Sequence, residues 1–498
     1  MSGINNIQKG QPLNKEDAKT NEIKDSKVLV TKSGAITINV FFDGTGNNMF
    51  NTKARLEQQH PELTDQTSYD NYYSNIALLY MASAETATFK NIYIEGSGTF
   101  KYNKDDFNSL AFSVGQSGVN ARVTEAFSKA NTIRVDLNAN KIIFNVFGFS
   151  RGAFYARYFC AMAKLTDEEI ASEEQARQIY LDSLSHPKNY PQIIDPLSIP
   201  TRCLYSGRNR LDISSNKIRI NFVGLYDTVS SHGLKHYNDV IPFELNIVAK
   251  QGIRKIVHLT AQNEYRNHFP LTHIDTAVAD EIGFECSLPG AHSDIGGAYC
   301  DNWAETQYIS NYHERTIAPQ KEGEIHWKWL TDMGYYQGTP VFKPTIKPPK
   351  GITYPEQLIF RYRQIAKEVG TKEVFANRKF TSNSYQFIQL QIMKEITEIE
   401  LATQFNNPKG NRILNKDIAS IDNYPLLVKF RAYAKQYILD RYRNVGMDFS
   451  IDISKILTID EQKQFYNQFI HNSLDPDSIA NGSDSRNQGP QRIEIHDY

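Results

Sequence analysis

The sequence predicts an α/β protein, with a mostly parallel central sheet flanked by helices and a mainly helical C-terminal extension. Three observations predict it. Strand-like runs recur through the first 300 residues, rich in Ile, Val and Phe and in places apolar almost without a break, as strands covered on both faces read. Helix-like segments alternate with them, and that succession implies parallel strands joined by crossover helices. After about residue 303 the texture changes to helical segments with proline- and glycine-rich joints such as FKPTIKPPKG (342–351).

The strand-like runs are AITINVFF (35–42), NIYIEG (91–96), KIIFNVFG (141–148), KIRINFVGLY (217–226) and IGFECSL (282–288). The intervening helices are YSNIALLYMASA (73–84), VNARVTEAFSKAN (119–131), with apolar residues at helical spacing, and RGAFYARYFCAMAK (151–164). Residues 165–216 break the rhythm with prolines and polar turns and read as an insertion over one end of the sheet. The organisation is therefore a polar N-terminal arm (1–33), a catalytic-type domain (34–303) and a C-terminal module (304–498) that could act as a lid or face a membrane. Helices are expected in that module around 355–369, 385–403, 424–443 and 460–472. The last two dozen residues read as loop or tail.

With 498 residues, the chain is long enough for more than one domain or for one enlarged α/β domain. Lys+Arg number 55 against 56 Asp+Glu, a net charge of −1, which argues against a general nucleic-acid binder. Four scattered cysteines (Cys160, Cys203, Cys286, Cys300) with no C-x-x-C pair suggest neither a disulfide framework nor a zinc site, and read as reduced, buried thiols. No secretory h-region and no membrane-length apolar run is present. The expectation is a chain made soluble in the cytoplasm, carried by something other than the general secretion route if it acts elsewhere.

The stretch FNVFGFSRGAFYAR (144–157) gives the first chemical signal. The pentad GFSRG follows a buried strand and opens a helix. That is the setting of a nucleophile elbow, which presents a serine on a tight, strained turn. Gly148 and Gly152 flank a turn too close for a Cβ, and Ser150 becomes the candidate nucleophile. A serine needs a histidine to take its proton and a carboxylate to orient that histidine. In α/β-hydrolases the chain order is Ser, acid, His. Asp227 ends the strand IRINFVGLY, and His292 lies four residues past IGFECSL. Asp294 is the rival acid, and each of these residues also has a plain reading as turn or loop structure. For the oxyanion hole, the N–H of Arg151 is one donor, and Gly44, Thr45 and Gly46 in FFDGTGNN (41–48) offer others. Asp43 reads as structural. The same loop could cradle phosphate, although it lacks the P-loop lysine.

FFDGTGNN, GFSRGAF, FVGLYDTV and PGAHSDIGGAY, in that order, resemble a bacterial family of α/β-hydrolases. Its best understood members are the type VI secretion lipase effectors of the first type. VHLTAQNEYRNHF (257–269), GSGT (96–99) and FYNQFIHNSLDP (465–476) look like further landmarks, and Tyr226 stands where tryptophan is the commoner residue. The resemblance implies an antibacterial phospholipase (A1 or A2) cleaving acyl esters of membrane glycerophospholipids in a target cell's periplasm. It further implies Ser150, Asp227 and His292 as a triad, no metal or organic cofactor, delivery on a type VI spike protein or adaptor, and a cognate immunity protein. A basic helix, PLLVKFRAYAKQYILDRYR (425–443), could make a peripheral membrane contact, or could simply pack with a solvated basic face. The alternatives are a serine esterase acting on other esters, and a non-catalytic relative that binds partners.

Overall fold

The computed structural model describes residues 34–63, 66–106, 115–166, isolated positions within 168–182, 211, 213–230, isolated positions within 240–246, 252–313, 318–336, 358–361, 371–401, 405–442, 448–473 and 492–498. The N-terminal arm and most of the 165–216 insertion lie outside these residues.

Seven strands form the central sheet: β1 (Ala35–Phe42), β2 (Phe89–Ile94), β3 (Lys141–Phe149), β4 (Ile218–Tyr226), β5 (Ile256–Ala261), β7 (Gly283–Leu288) and β11 (Asp448–Ser450), in the order β11-β7-β5-β4-β3-β1-β2. Every pairing between them is parallel. The two-residue β6 (Leu271–Thr272) stands outside it, paired with β12 (Glu494–Ile495). The five strand-like runs form strands at or within two residues of their expected limits. β5 and the edge strand β11 lie outside those runs.

Strand alternation supplies both cores. From β1, Ile36, Ile38, Val40 and Phe42 enter one core, and Phe41 enters the other. The first is closed by helices α4 (Val119–Asp136) and α5 (Arg151–Ala163). The second is closed by α3 (Asn75–Ala82), α9 (Gln386–Leu401), α11 (Pro425–Tyr442) and α12 (Ile459–Phe469). Fully burying a Phe or Ile side chain stabilises by about 1.5–3 kcal/mol, so both faces carry weight. The C-terminal helices thus share a core with the sheet.

Helix α11 turns Leu427, Phe430, Ala434, Ile438 and Tyr442 into that core. Three of its cations are matched by acids, Lys429 with Glu461, Arg431 with Asp422 and Lys435 with Glu395, and the Arg441 guanidinium lies 3.4 Å from the Tyr437 ring centroid. Among the described residues no helix is long and apolar enough to cross a membrane.

Three features differ from the sequence expectations. A three-stranded antiparallel sheet, β8 (Trp303–His313), β10 (Thr371–Thr381) and β9 (Leu358–Arg361), lies within the region expected to be mainly helical. The helix expected over 355–369 is corrected at 358–361, where LIFR pairs with residues 373–376. Short apolar runs take whichever structure tertiary pairing offers. A helix without a matching expectation, α10 (Pro408–Ser420), starts from an Asn407 cap with proline at its first turn. Cys160 and Cys286 are buried, Cys300 is half-exposed, and Cys203 lies outside the described residues.

Candidate active site

Register brings the site together. Phe149 pairs with Tyr226, and Tyr226 with Leu259, so Ser150 and Asp227 leave neighbouring strands at the same level. The Ser150 N–H donates to Tyr226 O (3.0 Å), and the Val229 N–H donates to Ser150 O (3.3 Å), clamping the serine turn to the aspartate turn. Both residues have positive φ, 59° at Ser150 and 43° at Asp227. Non-glycine residues seldom adopt that conformation, and it persists only where surrounding contacts over-determine it.

The elbow glycines are required by close approach. A Cβ on Gly148 would stand 2.5 Å from Gly152 O, and one on Gly152 2.4 Å from the carbonyl oxygens of Phe42 and Asp43. The glycine-rich loop is therefore pressed against the start of α5. A Cβ on Gly96 would meet Gly44 O at 1.9 Å, so GSGT packs under that loop. Asp43 braces it as a buried carboxyl accepting from Ser74 Oγ (2.6 Å), Tyr93 Oη (2.6 Å) and Gly44 N (2.8 Å). Burial pushes its pKa up to about 6 against the pull of those donors.

Of the three loop N–H groups expected to face an oxyanion, two are engaged within the fold. Gly44 N donates to Asp43, and Gly46 N donates to Ser97 O (3.0 Å). Thr45 is left, and its buried Oγ1 has no partner among the described residues. Arg151 is the first residue of α5, where main-chain N–H groups point out of the helix.

His292 opens α7 (His292–Gly296) and is 3% exposed. Its Nδ1 lies 2.6 Å from Asp227 Oδ2, and its buried Nε2 has no partner among the described residues. The ring is held between Phe149 (centroids 4.6 Å) and Phe269 (5.1 Å). Glu264 accepts from the His292 N–H (3.2 Å) and takes a two-pronged contact from Arg266 (2.8 Å each), whose guanidinium lies 3.4 Å from the Phe269 ring centroid. Burial alone would raise the Glu264 carboxyl; Arg266 outweighs it and holds it at about 2. Burial lowers the His292 pKa despite the Asp227 bond, so the ring is neutral with one nitrogen ready to accept a proton.

The rival acid is occupied elsewhere. Asp294 accepts from the His471 N–H (3.0 Å) and the Ala291 N–H (2.9 Å), and its Oδ1 lies 2.7 Å from His471 Nδ1. One residue was missed entirely by sequence reasoning. Arg492, within the stretch expected to be loop or tail, donates Nη1 to Asp227 Oδ1 and Nη2 to Oδ2, each at 2.7 Å. Nothing local in QRIEIHDY signals this contact.

A parallel sheet carrying a serine elbow past β3, a carboxylate past β4 and a histidine past β7 is an α/β-hydrolase fold. The family model described as the type VI secretion phospholipase effector, Tle1-like, catalytic domain matches residues 37–330, more than half of the chain, and the chain belongs to that family. It is a Tle1-like phospholipase effector of type VI secretion. A solved structure of a Tle1 effector bound to the VgrG spike aligns at 19% identity over 93% of this chain and 94% of that one, with a TM-score of 0.53, a likeness of fold. An uncharacterized protein from Pseudomonas aeruginosa aligns at 18% identity over 58% of this chain and 45% of that one; its TM-score of 0.34 is too low to bear on the fold. No curated protein sequence matches.

Proposed function

We propose that the chain is a serine phospholipase A that cleaves an acyl ester of membrane glycerophospholipids, with Ser150 as nucleophile, His292 as base and acid, and Asp227 as the orienting carboxylate. The observation that carries the reading is the buried Asp227–His292 bond, with Nε2 unpartnered among the described residues, at the sheet edge that bears the strained Ser150 turn. Ser150 Oγ attacks the ester carbonyl as its proton passes to Nε2. Asp227 balances the imidazolium that forms. The N–H groups of Arg151 and Thr45 receive the tetrahedral oxyanion. The leaving lysophospholipid takes the proton back, and water activated by His292 releases the fatty acid.

Family membership supports delivery by the type VI apparatus, action on a target cell's membrane from its periplasm, and a cognate immunity protein. The solved Tle1 complex makes a VgrG-type spike the partner to test for loading.

The test is release of fatty acid and lysolipid from vesicles of position-labelled phosphatidylethanolamine and phosphatidylglycerol, comparing wild type with Ser150→Ala. Serine-dependent release is expected, and the labelled chain names A1 or A2. Turnover of a soluble short-chain ester without lipid release would replace the reading with a general esterase. No reaction with either, and no labelling by a fluorophosphonate, would overturn it.

A further inference from the structure

We propose that segment 492–498 is part of the catalytic apparatus and that Arg492 is the positioning residue of the acid. The inference rests on the reading of Asp227 and His292 just given.

Both carboxylate oxygens of Asp227 are doubly engaged. Oδ1 accepts from Arg492 Nη1 and from the Ala261 N–H (2.8 Å), while Oδ2 accepts from Arg492 Nη2 and faces His292 Nδ1. A two-pronged guanidinium fixes the plane of a carboxylate as well as its charge. Arg492 is fixed in turn, donating to Ala261 O (2.7 Å) and Phe269 O (3.4 Å). The segment that carries it is built in. The Leu271 and His273 N–H groups donate to Ile493 O and Ile495 O, each at 2.9 Å. Asp497, fully buried, pairs with Arg157 at 2.7 Å and accepts from the Thr276 N–H (2.8 Å) and Thr276 Oγ1 (3.0 Å). Arg157 lies on α5, the helix that starts beside Ser150. The segment therefore ties the nucleophile's helix to the acid's strand end.

The charge arithmetic gives Arg492 a role beyond anchoring. Among the described residues the charged groups acting on His292 are Asp227, Arg266 and Glu264, while Arg492 acts on Asp227 and Glu264, and Asp227 also interacts with His258. Arg266 is engaged with Glu264, so Arg492 is the cation paired directly with Asp227. Burial would raise the Asp227 carboxyl, but Arg492 and the His292 bond hold it well below the usual carboxylate range. With its charge half-answered by Arg492, Asp227 pulls less strongly on the imidazole proton. His292 then stays a free base to lower pH than a dyad alone would allow.

The experiment is the pH profile of kcat/KM for a soluble p-nitrophenyl ester, measured on full-length wild type, Arg492→Ala, Arg492→Lys and Asp497→Ala, with fluorophosphonate labelling and thermal melts alongside. In Arg492→Ala the acid limb is expected to move up by on the order of one pH unit, the scale of one nearby charge, and kcat to fall more than KM changes. Arg492→Lys, which keeps the charge and loses the fork, should return the limb and recover only part of kcat. A purely structural anchor would lower the melt and leave the limb where it was. Superimposable wild-type and Arg492→Ala profiles would overturn the proposal. Should Arg492→Ala not fold, Asp497→Ala loosens the anchor with Arg492 and Asp227 intact; an upward limb supports the proposal, and an unmoved one overturns it. Wild type that fails to label at Ser150 sinks the triad reading itself; labelled wild type with unmoved profiles sinks only the role of Arg492.

Discussion

Gly152 lies so close to the loop behind it that a Cβ there would stand 2.4 Å from the carbonyl oxygens of Phe42 and Asp43. The first residues of the helix that follows Ser150 and the loop proposed to bind the oxyanion are thus one packed unit. Gly152→Ala should push them apart by a fraction of an ångström to an ångström. A displacement of that size costs up to about 100-fold in rate. Turnover of a soluble ester is expected to fall at least tenfold on this scale, with a smaller loss of melting temperature. Wild-type turnover in a folded Gly152→Ala would mean that the loop is not part of the chemistry.

The two candidate acids, Asp227 and Asp294, make opposite predictions. Asp227→Asn leaves the geometry nearly intact but presents the wrong partner to Nδ1, and kcat is expected to drop by about 10⁴-fold. Asp294→Asn strips an ionic partner from buried His471 and should cost about 1–3 kcal/mol of stability, while leaving the pH profile of ester cleavage in place. Parallel kinetics and denaturant titrations of the two variants separate the roles. A collapse of activity in a stable Asp294→Asn would reverse the assignment.

Tyr226 carries a fully buried hydroxyl with no partner among the described residues. Leaving a buried donor unpaired costs about 1–3 kcal/mol, so Tyr226→Phe removes a liability and keeps the ring packed. The expected result is a midpoint of urea unfolding equal to or above that of wild type. A clear loss would reveal a partner for that hydroxyl.

What was legible in the sequence follows from where each signal resides. β1, β3 and β4 are covered on both faces, and their apolar runs say so. β5 is buried throughout too, but His258 and Thr260 interrupt its apolar character. His258 is a core residue, its Nδ1 2.8 Å from Glu285 and its Nε2 accepting from the Thr228 N–H at 3.0 Å. Ser150, Asp227 and His292 were legible because strand ends mark them. Asp294 stood in the sequence as the rival acid, but its engagement with His471, 177 residues away, was not visible there. Arg492 was hidden for the same reason, since its partner lies 265 residues earlier. The basic stripe of α11 was visible, but Glu461, Asp422 and Glu395, which answer three of its charges, were not.

His273 ties segment 492–498 to the body and makes that contact depend on pH. Its Nδ1 lies 2.6 Å from Glu285 Oε1, its Nε2 is 3.9 Å from Glu494, and its ring stacks on His496 at 5.0 Å. Burial works to lower its pKa, but the Glu285 bond outweighs burial and raises it to about 9. A histidine whose folded pKa is raised binds its proton more tightly folded than unfolded. Its contribution is therefore complete below the unfolded value of about 6.5 and is lost as pH climbs through the folded one. The stability gap between wild type and His273→Gln should be widest near pH 6 and nearly closed by about pH 9.5, when the ring is mostly neutral in the folded state and neutral in the unfolded one. Urea unfolding at the two pH values measures the gap. The same titration should loosen the segment, so amide exchange of residues 493–497, corrected for the intrinsic pH dependence, should speed up more in wild type than in the variant over that range. A gap that stays constant from pH 6 to 9.5 would remove the ion pair from the segment's anchorage and leave Asp497 with Arg157 to hold it.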